Sequence, residues 1–296
     1  KMHPSKVYFT KEITPDSIIK IYKALNRELQ GKIAVKISSG EAGGNNYLNP
    51  QLIQKFVNSL NGTLVECNTV SIYKGSRLDS KDHWKTIEDH GFKAIAPFDL
   101  LDEEGDFAIP VKNGYQLKTN LVGNHMKNYK SMVVLSHFKG HAMGGFGGAL
   151  KNIAIGFASA RGKGIVHSAG DLNPDWAKIG ATSQSDFLET MAEAVSGFVD
   201  KFKEENIIYI NVAYNLSVDC DCNSNPAPPE MRNIGIFASL DPIAIDQASV
   251  DAVYNSPDPG KASLIKRMES KLAVHILERG EELGLGTRRY EVIEID

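Results

Sequence analysis

The chain has 296 residues, of which 42% are hydrophobic and 23% are charged, and its formal net charge at pH 7 is −3. These are ordinary globular values that allow a substantial core, and the nearly balanced charge gives no reason to expect nucleic acid or a membrane surface as a partner. The three cysteines are too few for a disulfide framework and indicate a reducing compartment. No apolar run approaches the roughly 18 residues that span a bilayer, and residues 1–4 lack signal-peptide character, so we expect a cytoplasmic protein.

Hydrophobic periodicity predicts alternating strands and helices in the first hundred residues. The predicted strands are residues 7–10, 32–37, 63–67 and 93–97. The predicted helices are residues 17–29, 50–60 and 79–90. Residues 101–128 are mixed in character and are expected to form a hairpin excursion or a small subdomain.

The second half of the chain continues the alternation. Its predicted strands are residues 132–135, 207–212, 234–238 and 291–295, and its predicted helices are residues 187–202, a segment beginning at Asp241-Pro242, and residues 262–283. The pattern predicts an α/β fold, in which one or more mostly parallel sheets carry helices on both faces. We expect one domain over residues 1–296, or two lobes, 1–130 and 131–296, with a site between them.

A glycine-rich segment, residues 137–152, follows the predicted strand 132–135 and precedes a helix. In extended backbone, residues two apart share a face, so His137, Lys139 and His141 are predicted to point the same way and are candidate catalytic residues. A glycine-rich turn into a helix start exposes backbone N–H groups that suit an anion. The candidate ligand-binding residues are therefore Gly144, Gly145, Gly147, Gly148, Lys151 and Asn152. The segment matches neither the P-loop nor the dinucleotide fingerprint, and a tightly packed connector is the alternative.

Cys220 and Cys222 stand two residues apart and alternate with Asp219 and Asp221. Thiolates at this spacing suit zinc or another soft metal, and His167 is the candidate third ligand, with His137 and His141 as alternatives. The pair is also a candidate redox couple, although flanking carboxylates should raise the thiol pKa values. Two buried, inert cysteines are the remaining alternative.

Asp246 lies on the apolar stripe of the helix that begins at Asp241-Pro242. A carboxylate on an apolar face needs a partner, which could be a ligand, a lysine or a backbone donor. Asp246 is therefore a candidate catalytic residue, whereas Asp241 is sufficiently explained as the helix N-cap.

Several motifs together resemble one protein family. They are Gly40-Glu41, Asn46-Tyr47-Leu48-Asn49-Pro50, Tyr73-Lys74-Gly75-Ser76-Arg77, His137-Phe138-Lys139-Gly140-His141, Gly145-Phe146-Gly147-Gly148-Ala149-Leu150-Lys151-Asn152, His167-Ser168, Cys220-Asp221-Cys222 and Ser239-Leu240-Asp241-Pro242-Ile243-Ala244-Ile245-Asp246. With these motifs the chain resembles the domain-of-unknown-function 362 family, often labelled "uncharacterised iron–sulfur centre protein". The resemblance implies kinship and assigns no reaction.

Many members of that family carry a ferredoxin-like insert with repeated Cys-x-x-Cys spacing. The matching interval here, residues 169–190, contains no cysteine, so the chain resembles an insert-free member and a 4Fe–4S cluster is not expected. A mononuclear zinc, iron or nickel ion remains the candidate cofactor.

Two functions follow from these features. The first is a redox or small-molecule enzyme whose composite site binds a small anionic molecule or cofactor and draws on a redox partner. The alternative is a non-catalytic metal- or ligand-binding module. The two differ in the expected site, because a catalytic site needs a titratable group in an open cleft, whereas a structural metal site is closed by four protein ligands.

Overall fold

The computed structural model describes residues 3–73 and 75–296. Residues 1–2 and Lys74, which belongs to the family motif at 73–77, lie outside the described residues. The strands are β1 (Ser5–Thr10), β2 (Ile33–Lys36), β3 (Thr63–Glu66), β4 (Phe98–Leu100), β5 (Asp106–Pro110), β6 (Thr119–Gly123), β7 (Ser131–His137), β8 (Lys139–His141), β9 (Gly145–Gly147), β10 (Ile207–Ala213), β11 (Gly235–Ser239) and β12 (Tyr290–Glu294).

The helices begin at side-chain caps where the sequence offers them. They are α1 (Pro15–Ala24), α2 (Pro50–Ser59), α3 (Ser80–Asp89), α4 (Ala149–Ala154), α5 (Ala160–His167), α6 (Trp176–Ala181), α7 (Gln184–Phe202), α8 (Pro242–Asn255), α9 (Ala262–Ser270) and α10 (His275–Glu282), with short 3-10 turns at Asn124–Asn128, Glu204–Asn206 and Pro259–Lys261. Asn49 caps α2 and Asp241 caps α8, each followed by proline at the first helical position.

Eight strands form one sheet in the order β12-β1-β11-β10-β7-β2-β3-β4. Only β11 runs against its neighbours; the other seven strands share one direction. The mostly parallel α/β fold predicted from the sequence is therefore confirmed. The sheet combines strands from both sides of residue 130, so the two predicted lobes contribute to one layer.

Alternate side chains of the central strands enter two different cores. Met132 and Val134 of β7 pack with α4, α7 and α8 on one face, whereas Val133 and Leu135 pack with α1 and α2 on the other. All seven residues of β7 are buried, as are all seven of β10. Burial on both faces explains why these strands are continuous apolar runs in the sequence. Helices therefore cover both faces, as predicted.

Two hairpins lie outside the large sheet. The mixed segment after β4 contains the antiparallel pair β5–β6, which agrees with the predicted hairpin. The glycine-rich segment folds as a second hairpin, β8–β9, in which Lys139 faces Gly147 and His141 faces Gly145. The helix α4 follows immediately.

Three predicted elements differ from the structure. The predicted helix 17–29 ends at Ala24, and Asn26 adopts a left-handed conformation with φ of 49°. Residues 93–97 form turns, with the Ile95 N–H donating to the Phe92 carbonyl, and the strand β4 begins only at Phe98. The predicted helix 262–283 is two helices, because Leu272 adopts a left-handed conformation with φ of 51° between α9 and α10. A single positive-φ residue ends a helix even where the apolar spacing continues. None of the helices described over residues 3–73 and 75–296 combines the length and hydropathy that a bilayer-spanning segment requires.

Candidate functional site

The carboxyl ends of three parallel strands bring together residues that are distant in the sequence. Lys36 ends β2, Glu66 ends β3 and His137 ends β7. From the adjacent strands β2 and β7, the chain proceeds in opposite directions across the sheet, to β3 on one side and β10 on the other. Open α/β sheets bind ligands at such a topological switch point. The topology therefore places the candidate site at these strand ends.

A cavity of about 280 Å³ lies at this position. Its volume is near the lower end for small-molecule sites. Its cationic lining residues are Lys36, Arg77, Lys139, Lys151 and Lys163, and its acidic ones are Glu66, Asp219 and Asp221. The candidates from the sequence that line it are His137, Lys139, His141, Gly147, Gly148, Lys151, Asn152, His167, Cys220 and Cys222. The glycine-rich segment and the cysteine pair thus meet in space.

Lys36 and Glu66 form a buried ion pair in the wall of the cavity. The Nζ atom of Lys36 donates to Oε1 of Glu66 at 2.9 Å and to Oδ1 of Asn152 at 3.0 Å. Burial opposes the charge on Glu66, but Lys36, together with nearby cations, holds the pKa of Glu66 at about 2. The pair is therefore charged at neutral pH, and Asn152 serves to orient it.

Lys151 extends from α4 and has a different environment. Among residues 3–73 and 75–296, no hydrogen bond or ion pair to its ammonium is found. Burial, followed by the charges of Lys139 and Arg77, lowers the pKa of Lys151 to about 7. An amine that titrates near neutral pH can take up or release a proton under working conditions.

His137 is held as a hydrogen-bond donor on both ring nitrogens. Its Nε2 lies 2.7 Å from the carbonyl oxygen of Tyr214, which can only accept, and its Nδ1 lies 3.0 Å from Oδ1 of Asp221. Burial would raise the pKa of Asp221, but His137 and Lys139 hold it below the ordinary value, so Asp221 is a carboxylate. His137 has no free lone pair and is suited to positioning rather than to taking a proton.

His141 is a neutral imidazole with a defined tautomer. Its Nδ1 accepts the backbone N–H groups of Met143 at 3.0 Å and Gly144 at 2.9 Å, so the ring proton is on Nε2. Burial, followed by the charges of Lys151 and Lys139, lowers the pKa of His141 well below its ordinary value. His141 therefore presents an N–H donor to the cavity.

His167 has the opposite tautomer. Its Nδ1 lies 2.6 Å from the carbonyl oxygen of Lys163 and must donate to it, which leaves the lone pair on Nε2. Burial lowers the pKa of His167 to about 4. Of these two neutral imidazoles, His141 is thus a donor at Nε2 and His167 an acceptor at Nε2.

The two cysteines of the Cys-x-Cys pair are joined by a disulfide bond. A ring nitrogen of His141 and the two sulfur atoms lie within 4.8 Å of one another, which makes them the one candidate metal-ligand group found in residues 3–73 and 75–296. The structure thus groups His141, and not His167, with the cysteines. Cys67 is buried in the core, and its Sγ donates to the Phe157 carbonyl at 3.5 Å. These three cysteines do not fit a four-thiolate cluster.

Asp246 lies behind the cavity wall and does not line the cavity. Its two carboxylate oxygens accept the N–H groups of Ala149 at 2.8 Å and Leu150 at 3.0 Å, so it caps the first turn of α4. Asn211 donates to it as well, at 2.9 Å. Burial raises the pKa of Asp246 to about 6. Asp246 holds α4, which carries Lys151, in place.

Part of the backbone of the glycine-rich segment is engaged within the fold. Four of its N–H groups are already bonded, two to His141 and two to Asp246. Gly147 and Gly148 line the cavity, whereas Gly144 and Gly145 do not. An added Cβ at Gly147 would lie 3.4 Å from Nζ of Lys139, so this glycine borders the part of the cavity that the Lys139 side chain occupies. Side-chain cations line the cavity beside this segment.

Several lining residues were missed by reasoning from the sequence. They are Lys36, Glu66, Arg77 and Lys163. The contact of Asp221 with His137 was missed as well. Lys36 and Glu66 each end a strand that the sequence did predict, so the rule that ligands gather at strand ends could have found them. Arg77 is part of a family motif but follows no predicted strand directly.

Two solved structures are similar to the chain. The lactate racemase apoprotein from Thermoanaerobacterium thermosaccharolyticum is 13% identical, with a TM-score of 0.45 over 85% of this chain and 57% of that one. A protein from Thermotoga maritima is 11% identical, with a TM-score of 0.46 over 82% of this chain and 58% of that one. The chain therefore covers less than two thirds of either structure's length.

No curated protein matches the chain. A family model does match, over residues 33–251, and its description is "Domain of unknown function (DUF362)". The matched range contains every strand end, lysine and cysteine of the cavity described above. The chain belongs to the DUF362 family, as its motifs had suggested.

Proposed function

We propose that the chain is an enzyme that binds a small organic anion in the cavity and transfers a proton to or from it. The observation that carries this proposal is the Lys151 amine, which lines the cavity beside Lys139, has no hydrogen-bond or ion-pair partner among the described residues and has a pKa lowered to about 7. A base is most effective when its pKa lies near the working pH. A structural lysine would instead be paired, as Lys36 is.

The other cavity residues suit two further roles. Lys139 has one carboxylate neighbour, Asp221, at 3.9 Å, and that carboxylate is also bonded to His137. The Lys139 ammonium therefore retains positive charge with which to hold an anionic group. The Nε2–H of His141 is placed to donate to an oxygen on which negative charge develops, as a neutral imidazole can.

Binding of anions without chemistry tests the first half of this proposal. We would titrate propionate and malonate, with neutral propionamide as the comparison, into wild type, Lys151→Gln and Lys139→Gln, and into Lys201→Gln as a control at an exposed lysine. We expect saturable anion binding that weakens about tenfold or more in the two cavity variants and is unchanged in Lys201→Gln. Equal affinities across all four proteins, or equal binding of propionamide, would overturn it.

Proton transfer is tested separately by solvent exchange. In deuterium oxide, wild type should incorporate deuterium beside the carboxylate or carbonyl group of at least one member of a panel of small 2-oxo and 2-hydroxy acids, detected by proton NMR. Lys151→Gln should lose this exchange, while Lys201→Gln retains it. Exchange that persists in Lys151→Gln would exclude Lys151 as the base.

A metal-binding module is the second candidate, because His141, Cys220 and Cys222 lie close enough together to share an ion. The present contacts oppose it in two ways: the sulfurs are bonded to each other, and Nδ1 of His141 is occupied by two backbone donors. A metal at Nε2 would require the other tautomer. Near-stoichiometric zinc, iron or nickel in reduced protein, lost in Cys220→Ser and Cys222→Ser, would favour this function over the first.

A further inference from the structure

We propose that the Cys220–Cys222 disulfide is a redox-active group of the cavity and that it exchanges with small thiols that carry an anionic group. The anionic class of the substrate rests on the proposed function; the exchange itself does not. The disulfide lines the cavity that also contains Lys139 and Lys151. A thiol held by its anionic group at the Lys139 ammonium would therefore have its sulfur in the same cavity as the disulfide.

The two sulfurs differ in exposure, which favours one point of attack. Cys220 is 5% exposed, whereas Cys222 is half-buried and adjoins the exposed Asn223. Thiol–disulfide exchange is an in-line attack that needs access to one sulfur. Cys222 is accordingly the sulfur that an incoming thiolate reaches, and Cys220 is the leaving group.

The surroundings of Cys220 suit a leaving thiolate. The backbone N–H of Cys222 already donates to Sγ of Cys220 at 3.3 Å. A ring nitrogen of His141 lies within 4.8 Å of both sulfurs, and the ring proton of His141 is on Nε2 because its Nδ1 accepts two backbone N–H groups. Hydrogen-bond donors stabilise a thiolate and make it a better leaving group.

The flanking carboxylates do not oppose this chemistry as the sequence suggests. Asp219 is paired with Arg267 at 3.2 Å, and Asp221 is paired with His137 at 3.0 Å. Each carboxylate beside the cysteines thereby has a hydrogen-bond partner of its own. The sequence reveals the two aspartates but not their partners, which come from α9 and from the end of β7.

The exchange balances with two thiol molecules. The first thiolate attacks Sγ of Cys222, a substrate–Cys222 disulfide forms, the Cys220–Cys222 bond breaks and its electron pair remains on Cys220. A second thiolate attacks the substrate sulfur, forms the substrate disulfide and releases Cys222 as a thiolate. Two substrate thiols are oxidised to one disulfide and the protein disulfide is reduced to two thiols, with protons exchanged with water.

Rates of reduction by matched thiols test the proposal. Oxidised protein would be treated with 3-mercaptopropionate or with neutral 2-mercaptoethanol, quenched in acid and alkylated, and Cys220 and Cys222 would be quantified by mass spectrometry. A Cys67→Ser background removes the remaining thiol. We expect 3-mercaptopropionate to react about tenfold faster per thiolate, the lower range of what a charged cleft provides. Lys139→Gln should abolish the preference and Lys201→Gln should keep it.

Three results would overturn the proposal: two free thiols in aerobically purified protein, a native disulfide that neither reagent reduces, or equal rates for both reagents. Binding of propionate, which has no thiol, distinguishes failure of the redox proposal from failure of the proposed function. If propionate binds in a Lys151-dependent way while exchange is absent or unselective, the anion site stands and the redox site does not.

Discussion

Nδ1 of His137 lies 3.0 Å from Oδ1 of Asp221, and this contact joins the end of β7 to the loop that carries the cysteine pair. Both side chains are almost fully buried. A backbone hydrogen bond supports the same loop, since the Glu41 N–H donates to the Asp221 carbonyl at 2.9 Å. The contact thus ties the loop to the end of β7 and helps to keep its cysteines in the cavity.

Replacing Asp221 with asparagine should therefore destabilise the protein. The change replaces the buried carboxylate that accepts from Nδ1 of His137 with a neutral amide, and losing a buried hydrogen bond to a charged group costs about 2 kcal/mol. Urea unfolding at pH 7, followed by circular dichroism, measures the loss. Asp200→Asn, at an exposed position of α7, is the matched control. A loss no greater than that of the control would show that the contact does not hold the loop.

The strands of the sheet could be predicted because the signals for them lie within short stretches of sequence. Runs such as residues 132–135 and 207–212 are apolar, and the caps Asn49 and Asp241 mark helix starts where the structure has them. The break at Leu272 was not predictable, since a left-handed residue that is neither glycine nor asparagine carries no signal in the sequence. Apolar spacing predicts where a helix can form, but it does not reveal a backbone angle that packing imposes.

The sequence predicted several of the residues that belong to the candidate site, but not how they contact one another. The sequence indicated His141, Lys151 and the cysteines, but not which hydrogen bonds set their chemistry. The tautomer of His141 depends on two N–H groups of its own turn. The role of Asp246 depends on its contact with the first turn of α4, where its partner Ala149 is 97 residues away in the chain. Partners separated this far in the sequence have no local signature.

Neighbouring glycines provide a second prediction, in which one alanine changes binding and the other changes stability. In Gly147→Ala the new methyl group would lie 3.4 Å from Nζ of Lys139, the flexible end of a side chain, so stability should change by less than about 1 kcal/mol. The methyl group would occupy cavity space beside Lys151. We expect anion affinity to fall about tenfold, measured by calorimetric titration of malonate.

Gly148→Ala is the contrasting variant. Its methyl group would lie 2.5 Å from Oδ1 of Asp246, so α4 or α8 must shift. Overpacking of this kind costs about 1–3 kcal/mol. Equal stability losses in the two variants would show that the hairpin tolerates neither change and that Gly147 has no separate role in the cavity.

The titration of Lys151 provides a third prediction. Acetylation by a trace of acetic anhydride, followed by mass spectrometry, should show Lys151 becoming reactive with a midpoint near pH 7, in line with a pKa lowered to about 7 by burial and Lys139. Saturating malonate should move the midpoint upward by about one pH unit, because an anion favours the ammonium. Lys139→Gln should also move it upward, because a repelling charge is removed.

Linkage fixes the sign of the accompanying stability change. The folded state gives up the Lys151 proton at lower pH than the unfolded chain, so this group destabilises the fold below pH 7 and the effect is relieved as pH rises above it. An unshifted labelling midpoint in Lys139→Gln would contradict the coupling of the two lysines. Lys201 in the same digest serves as the exposed reference for reagent reactivity.

Asp246 provides a fourth prediction, which concerns stability against pH. Burial raises the pKa of Asp246 to about 6 from the ordinary 3.8, so the folded state holds this proton more tightly than the unfolded chain does. Its contribution to the free energy of unfolding is complete below about pH 4 and is lost as pH rises through 6. Two pKa units correspond to about 3 kcal/mol.

Asp246→Asn has no carboxyl group at this position and should lack that loss. The difference in unfolding free energy between wild type and Asp246→Asn should therefore shift by about 3 kcal/mol in favour of the variant between pH 4 and pH 7. Urea unfolding at four pH values measures it, and Asp200→Asn accounts for the general effect of removing one carboxyl group. A constant difference across this range would mean that Asp246 does not titrate there. In that case its three hydrogen bonds, from Ala149, Leu150 and Asn211, would be enough to keep it ionised despite its burial.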